Sequence, residues 1–202
     1  MMKVLVVTGG IGSGKSEVCR ILLDRYGIQC YDADAAVKEL YRSDGTLLDS
    51  IEDALGRNLR DDEGNLRPQL LAECIFTSDA SMNTVEGLVF PALEEHFRQW
   101  KSFQKGKFVV FESATVLEKP YFDGFGDIVI VVDAPFVLRL SRAARRDSRS
   151  ENEVLSRMNV QKLMNRISDG FCDPRVDYLL RNDSDMEELV RRVDMMMEKL
   201  NK

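Results

Sequence analysis

Apolar positions along the 202-residue chain fall into two kinds of segment that alternate. The first kind is short and rich in β-branched residues: Lys3–Thr8, Ile28–Tyr31, Phe108–Phe111, Ile128–Val132 and Tyr178–Leu180 read as buried strands. The second kind repeats at helical spacing. Ser16–Tyr26 sets Val18, Ile21 and Leu22 on one side, and Gly27 supplies a helix stop. Asn83–Trp100 does the same with Val85, Leu88, Val89, Leu93, Phe97 and Trp100, which predicts core packing rather than a ligand groove. The stretch after Asp185 repeats the pattern with Leu189, Val190, Val193, Met197 and Leu200. Ser150-Glu-Asn-Glu153 has capping-box spacing and predicts a helix running to about Asn165. Strands alternating with helices imply an α/β fold: a doubly wound, five-stranded parallel sheet covered on both faces. The region between Asp34 and Phe108 reads as all helical, an insert expected at the carboxyl edge of that sheet. With no repeat, low-complexity tract or linker in view, residues 1–202 read as a single domain.

Composition narrows the class. At 44% hydrophobic and 31% charged, the chain has the balance of a soluble globular protein. No apolar run approaches bilayer length, and no secretory signal opens the chain, so a cytoplasmic protein without membrane attachment is expected. Cys19, Cys30, Cys74 and Cys172 are scattered without a Cys-x-x-Cys pair, and His96 is the only histidine. That pattern excludes multi-histidine metal centres and points away from a disulfide framework. A net charge of −6 argues against nucleic acid as a partner.

One motif carries chemistry outright. Gly9-Gly10-Ile11-Gly12-Ser13-Gly14-Lys15-Ser16 fits G-x-x-x-x-G-K-[ST] and lies between a strand and a helix. Glycines allow successive backbone N–H groups to converge on phosphate oxygens, and the helix beginning near Ser16 adds its positive dipole end. Gly10, Ile11, Gly12, Ser13 and Gly14 are therefore expected to cradle the ATP phosphates. Lys15 would reach the β- and γ-phosphates, and the Ser16 hydroxyl would ligand Mg²⁺. No Asn-Lys-x-Asp guanine reader occurs, which favours a small kinase over a GTPase switch.

Thr8–Ser16, followed by Gly27-Ile-x-x-Tyr-Asp32-Ala-Asp34, resembles the dephospho-coenzyme A kinase family. The likeness continues through Asp61-Asp-Glu-Gly64-Asn-Leu66, the arginine-rich stretch Arg142…Arg146-Asp147, and Asp177-Tyr-Leu-Leu-Arg-Asn182. The resemblance implies a P-loop kinase fold with a helical substrate subdomain at about 35–105 and a lid at about 138–155. It implies transfer of the ATP γ-phosphoryl group to the ribose 3′-hydroxyl of dephospho-coenzyme A, with Asp34 as catalytic base. A carboxylate just past a strand end can orient a ribose hydroxyl and accept its proton. Asp32 would share a face with Asp34 if the strand continued, and either could instead cap the helix through Val37 and Leu40.

Glu112, ending a hydrophobic strand, is expected at the substrate or at a Mg²⁺-bound water. Asp133-Ala-Pro135 reads as a capped helix start. Arg139, Arg142, Arg146 and Arg149 step by helical intervals and would share one face. The resemblance sets Arg142 over the phosphates as a catalytic group, with Arg146 and, near the adenine, Asn182 at the nucleotide. A solvated basic face paired with Glu151 and Glu153 is the bland alternative. Phe90 stands where the family commonly has histidine, and Glu112-Ser-Ala114 where it has Asp-x-Pro. Another small nucleotide or metabolite kinase, or a non-catalytic ATP-binding regulator, therefore also fits; oligomeric state is not legible.

Overall fold

The computed structural model describes residues 1–201. It divides into two compact units: Met1–Asp32 with the chain from Gln104 onward, and Ala33–Phe103. In the first, β1 (Lys3–Thr8), β2 (Cys30–Asp32), β3 (Phe108–Glu112), β4 (Ile128–Asp133) and β5 (Tyr178–Arg181) form one five-stranded sheet. All pairs are parallel, in the order β2-β3-β1-β4-β5. The doubly wound expectation holds, with β2 starting two residues and ending one residue later than the apolar run placed it.

Both sheet faces are covered, as parallel pairing requires. Helices α1 (Lys15–Tyr26) and α9 (Met186–Leu200) pack on one face. Leu5, Val7, Val110, Ile130 and Val132 meet Val18, Leu22, Leu189, Val193 and Met197 there, all buried. On β1 the intervening Val4 and Val6 point the other way by the period of two, and are buried as well. Phe111 of β3 joins Phe122 and Phe125 at ring-centroid distances of 5.9 and 4.7 Å. The neighbouring strand ends then align: Asp32 pairs in register with Glu112, and Asp133 with Arg181. Thr8, Asp32, Glu112 and Asp133 therefore finish on one edge of the sheet.

Three helices follow β4: α6 (Phe136–Asp147), α7 (Glu151–Asn159) and α8 (Lys162–Ser168). The capping box at Ser150 and Glu153 opens α7 as read. The helix stops at Asn159, however, and a short break through Val160 and Gln161 precedes α8. Asp133 caps nothing. It is the last residue of β4, 4% exposed, accepting from Ser168 Oγ and pairing with Arg181 at 2.6 Å.

The second unit holds α2 (Ala33–Ser43), α3 (Gly45–Leu55), α4 (Pro68–Thr77) and α5 (Asp79–Ser102). Asp44 caps α3 through Leu47 N, Ser78 caps α5 through Ser81 N, and Pro68 opens α4. The unit is not wholly helical, since Arg60 and Leu66 form an isolated antiparallel bridge between α3 and α4. Phe97 and Trp100 stack 5.9 Å apart, in keeping with packing rather than a groove.

The helix that carries the glycine loop is set by its buried side. Leu22→Ala is expected to destabilise by about 2–5 kcal/mol in urea denaturation, because Leu22 is fully buried. Leu23→Ala, one residue on and 41% exposed, should stay within about 0.5 kcal/mol. Equal losses from the two would contradict this packing.

Candidate active site

The glycine loop leaves the end of β1 and feeds directly into α1. Two of its glycines are forced by geometry. Gly12 has φ 77°, and a methyl group there would lie 2.1 Å from the carbonyl oxygen of Arg139. Gly14, the N-cap of α1 at φ 98°, would place one 2.1 Å from Asn182 Nδ2. A residue with a Cβ could not take up that backbone in so little room.

Side chains from distant parts of the sequence hold the loop. Asn182 Nδ2 donates to Ser13 O at 2.8 Å, and Ile11 N donates to Gln161 Oε1 at 2.8 Å. The Ile11 side chain packs on the small cluster of Ala143, Val154 and Met158 between α6 and α7. Lys15 Nζ donates to Gly9 O at 3.0 Å, so the lysine lies along the loop it serves. Gly12, Gly14, Lys15, Ser16, Arg142 and Arg146 line a hollow of about 190 Å³. Arg142 is steadied by donating Nη1 to Asn182 O at 3.0 Å, and Arg146 pairs with Asp147 at 2.7 Å. Cation, hydroxyl and helix N-terminus thus converge on one small space, an arrangement that suits an anion.

Acidic groups stand beside it. Glu112 Oε1 accepts from Ser16 Oγ at 3.1 Å. Burial pushes the Glu112 carboxyl above its ordinary range, Lys15 pulls it down, and the neighbouring Asp32 pushes it up again. The neighbouring Cys30 thiol and burial hold the Cys19 thiol far above its usual value and therefore neutral.

The sequence-predicted residues divide accordingly. Gly10, Ile11, Gly12, Ser13, Gly14, Lys15 and Ser16 form the loop, with Glu112, Asp32, Arg142, Arg146 and Asn182 in the same unit. Asn182 spends its amide on the loop at Ser13. Asp34 lies in the second unit, in the first turn of α2. Because β2 ends at Asp32 and the helix begins at Ala33, Asp32 and Asp34 do not share a strand face. The arginine stripe is also broken. Helix α6 ends at Asp147, Ser148 turns left-handed at φ 50°, and Arg149 lies beyond it. Arg139, read as sharing one helical face with Arg142, Arg146 and Arg149, is 1% exposed behind the loop. Gln161 was missed, since nothing local distinguishes a glutamine at a helix break. Only its 150-residue reach to Ile11 reveals its role.

Comparison with known proteins agrees with this geometry. The family model for dephospho-CoA kinase matches residues 3–188. A dephospho-CoA kinase of Bacteroides fragilis is 33% identical over 180 residues, covering 89% of this chain and 84% of that one. Another from Porphyromonas gingivalis is 35% identical over 175 residues, covering 87% and 85%. A solved structure of a Thermus thermophilus protein shares the fold, with a TM-score of 0.82 at 24% identity over 98% of both chains. The glycine loop, the parallel sheet that presents it and these matches have one conclusion: the chain belongs to the dephospho-CoA kinase family.

Proposed function

We propose that this protein transfers the γ-phosphoryl group of ATP to the ribose 3′-hydroxyl of dephospho-coenzyme A, the closing step in making coenzyme A. The observation that carries the reading is the anion hollow at the end of β1. There Lys15, Ser16, Arg142 and Arg146 surround a loop of backbone amides. In this reading the Lys15 ammonium exchanges Gly9 O for phosphate oxygens, and the two guanidinium groups take up the charge that spreads over the transferring group. Asp34 accepts the proton of the ribose hydroxyl. Segment 138–155 serves as the lid that keeps water from the phosphates. ATP and dephospho-coenzyme A are the partners proposed; neither nucleic acid nor membrane is one. No described helix is long and apolar enough to cross a membrane. The location we propose is cytoplasmic.

The donors beside the loop suit Mg²⁺. Ser16 hydroxyl, Glu112 and Asp32 offer oxygen alone, the ligand type hard cations take. Among the described residues no three His, Cys, Asp or Glu gather to cage a metal. An ion here would share its coordination with nucleotide phosphates, which is how Mg²⁺ is commonly held. When bound, it neutralises charge on the phosphate oxygens.

The second unit supplies a place for the rest of the acceptor. On α2, Asp34, Lys38 and Arg42 recur every four residues, each step rising about 6 Å along one side of the helix. Lys38, Tyr41 and Arg42 line a cavity of about 600 Å³ with Leu66, Leu71 and Ile75. A carboxylate, two cations and an apolar recess match, in order, a ribose hydroxyl, a diphosphate and a pantetheine arm.

ADP release from ATP·Mg²⁺ should accelerate when dephospho-coenzyme A is added; no acceleration would end this reading. Asp34→Asn should lower kcat by about 10²–10⁴-fold with nucleotide affinity unchanged, and undiminished turnover would remove Asp34 as the base. Ile75→Glu should raise KM for dephospho-coenzyme A about tenfold with kcat held, by charging the recess. An unchanged KM would show that the arm lies elsewhere. Glu112→Gln addresses the cost of ionising a half-buried carboxyl. Below the ordinary value of 4.5, Glu112 is neutral folded and unfolded, so the variant and the wild type should melt together. As pH rises from that value toward the elevated folded one, the unfolded carboxyl ionises first, so the wild type loses stability that the variant keeps, and the loss is complete above the folded value. At neutral pH the unliganded variant should therefore melt higher, and a lower melting temperature would contradict the assignment.

A further inference from the structure

Arg139 is among the most deeply buried side chains of the described structure, at 1% exposure, yet its guanidinium lacks the partners a buried cation normally has. Nη2 donates to the neutral amide of Asn165 at 3.2 Å, while Nε and Nη1 have no hydrogen-bond partner. The acidic groups that act on it across space are Asp133 and Asp169. Both oxygens of Asp133 are already engaged, one by Ser168 and the other by Arg181. The ring of Phe136 lies 5.6 Å away. Burial accordingly pulls the guanidinium below its ordinary range, though an arginine has ample reserve to stay charged.

What the cation does touch is the glycine loop. A methyl group on Gly10 would fall 1.9 Å from Nη1, and one on Gly12 would fall 2.1 Å from the carbonyl oxygen of the same residue. Residue 139 thus abuts two loop glycines, one with its side chain and one with its backbone. The peptide between them is fixed by the bond from Ile11 N to Gln161. Three residues further along α6, Arg142 lines the hollow itself. The helix therefore presents one arginine to the anion hollow and sets another behind the loop that forms it.

We infer that Arg139 is a positioning residue for the nucleotide's phosphate chain, a buried cation that acts on the bound polyanion through the backbone of the loop. The inference rests on the nucleotide reading above. Its physical basis is the low effective dielectric of the site, in which a charge one backbone layer away is weakly screened. Without ligand the charge is poorly compensated; a bound triphosphate supplies the missing negative partner. A purely space-filling arginine would act through shape alone, so retention or loss of charge separates the two roles.

The test compares Arg139→Met, Arg139→Gln and Arg139→Lys with the wild type by calorimetric titration of ATP, inorganic tripolyphosphate and adenosine. Arg139→Met and Arg139→Gln should bind ATP and tripolyphosphate about tenfold more weakly and adenosine unchanged. Arg139→Lys, which keeps the charge with a different shape, should stay within about threefold of the wild type. The rise in melting temperature on adding ATP should shrink in the two neutral variants and persist in the lysine variant. Unaltered tripolyphosphate affinity in a neutral variant would overturn the inference, as would a lysine variant as weak as the methionine one. Failure of both neutral variants to fold would also overturn it, by making Arg139 a structural requirement. If the wild type bound neither ATP nor tripolyphosphate, the nucleotide reading itself would fall, a result distinct from any difference among variants.

Discussion

Backbone amides can be aimed at a single anion only where no side chain stands between them, and a stretch of glycine free enough to do so loses the most entropy on becoming ordered. Everything around the loop in this protein bears on that conflict. The loop contributes little apolar surface of its own beyond Ile11, so its order comes from its neighbours. Asn182 holds Ser13, Gln161 holds Ile11, Lys15 holds Gly9, and Arg139 fills the space behind Gly10 and Gly12. These contacts cross up to 169 residues of sequence, which explains why the sheet has to be complete before the site exists.

Charge obeys the same local logic. The chain carries −6 overall, yet residues 139–149 hold five arginines and one aspartate. An overall acidic balance would discourage polyanions only if charge were spread evenly, and screening confines surface charges to a range of about 8–10 Å. The charged residues that line the hollow are Lys15, Arg142 and Arg146. The acidic groups that are present, Glu112 and Asp32, lie in register on adjacent strand ends beside Lys15 and Ser16.

Features written in short stretches of sequence were legible, and features created by long-range packing were not. The strand, glycine run and helix of residues 3–26 need only local periodicity and spacing, and they appear almost as read. The capping box at Ser150 is equally local, but the end of its helix at Asn159 is set by Gln161 turning inward to the loop. Asp133 followed by a proline resembles a cap in one dimension. In three, its carboxylate belongs to Ser168 and Arg181, residues that a single strand cannot announce. The arginines at helical spacing show the same limit. Their periodicity predicts a shared face, while burial of Arg139 against the loop and the end of α6 at Asp147 divide it.

The two charges flanking the loop, half-buried Glu112 and buried Arg139, have opposite signs, and the difference has a consequence for the ligand. Glu112 is disfavoured in its ionised form by burial and by Asp32, with only Lys15, Ser16 and Cys19 in its favour. Arg139 is disfavoured by burial behind the loop, with Asp133 and Asp169 as remote support. A neutral ligand would relieve neither. The metal-bound nucleotide proposed above would relieve both, with its cation toward the carboxylate and its phosphates toward the arginine. The site thus holds two incompletely compensated charges of opposite sign, which is the charge distribution that the proposed metal-bound nucleotide would complement.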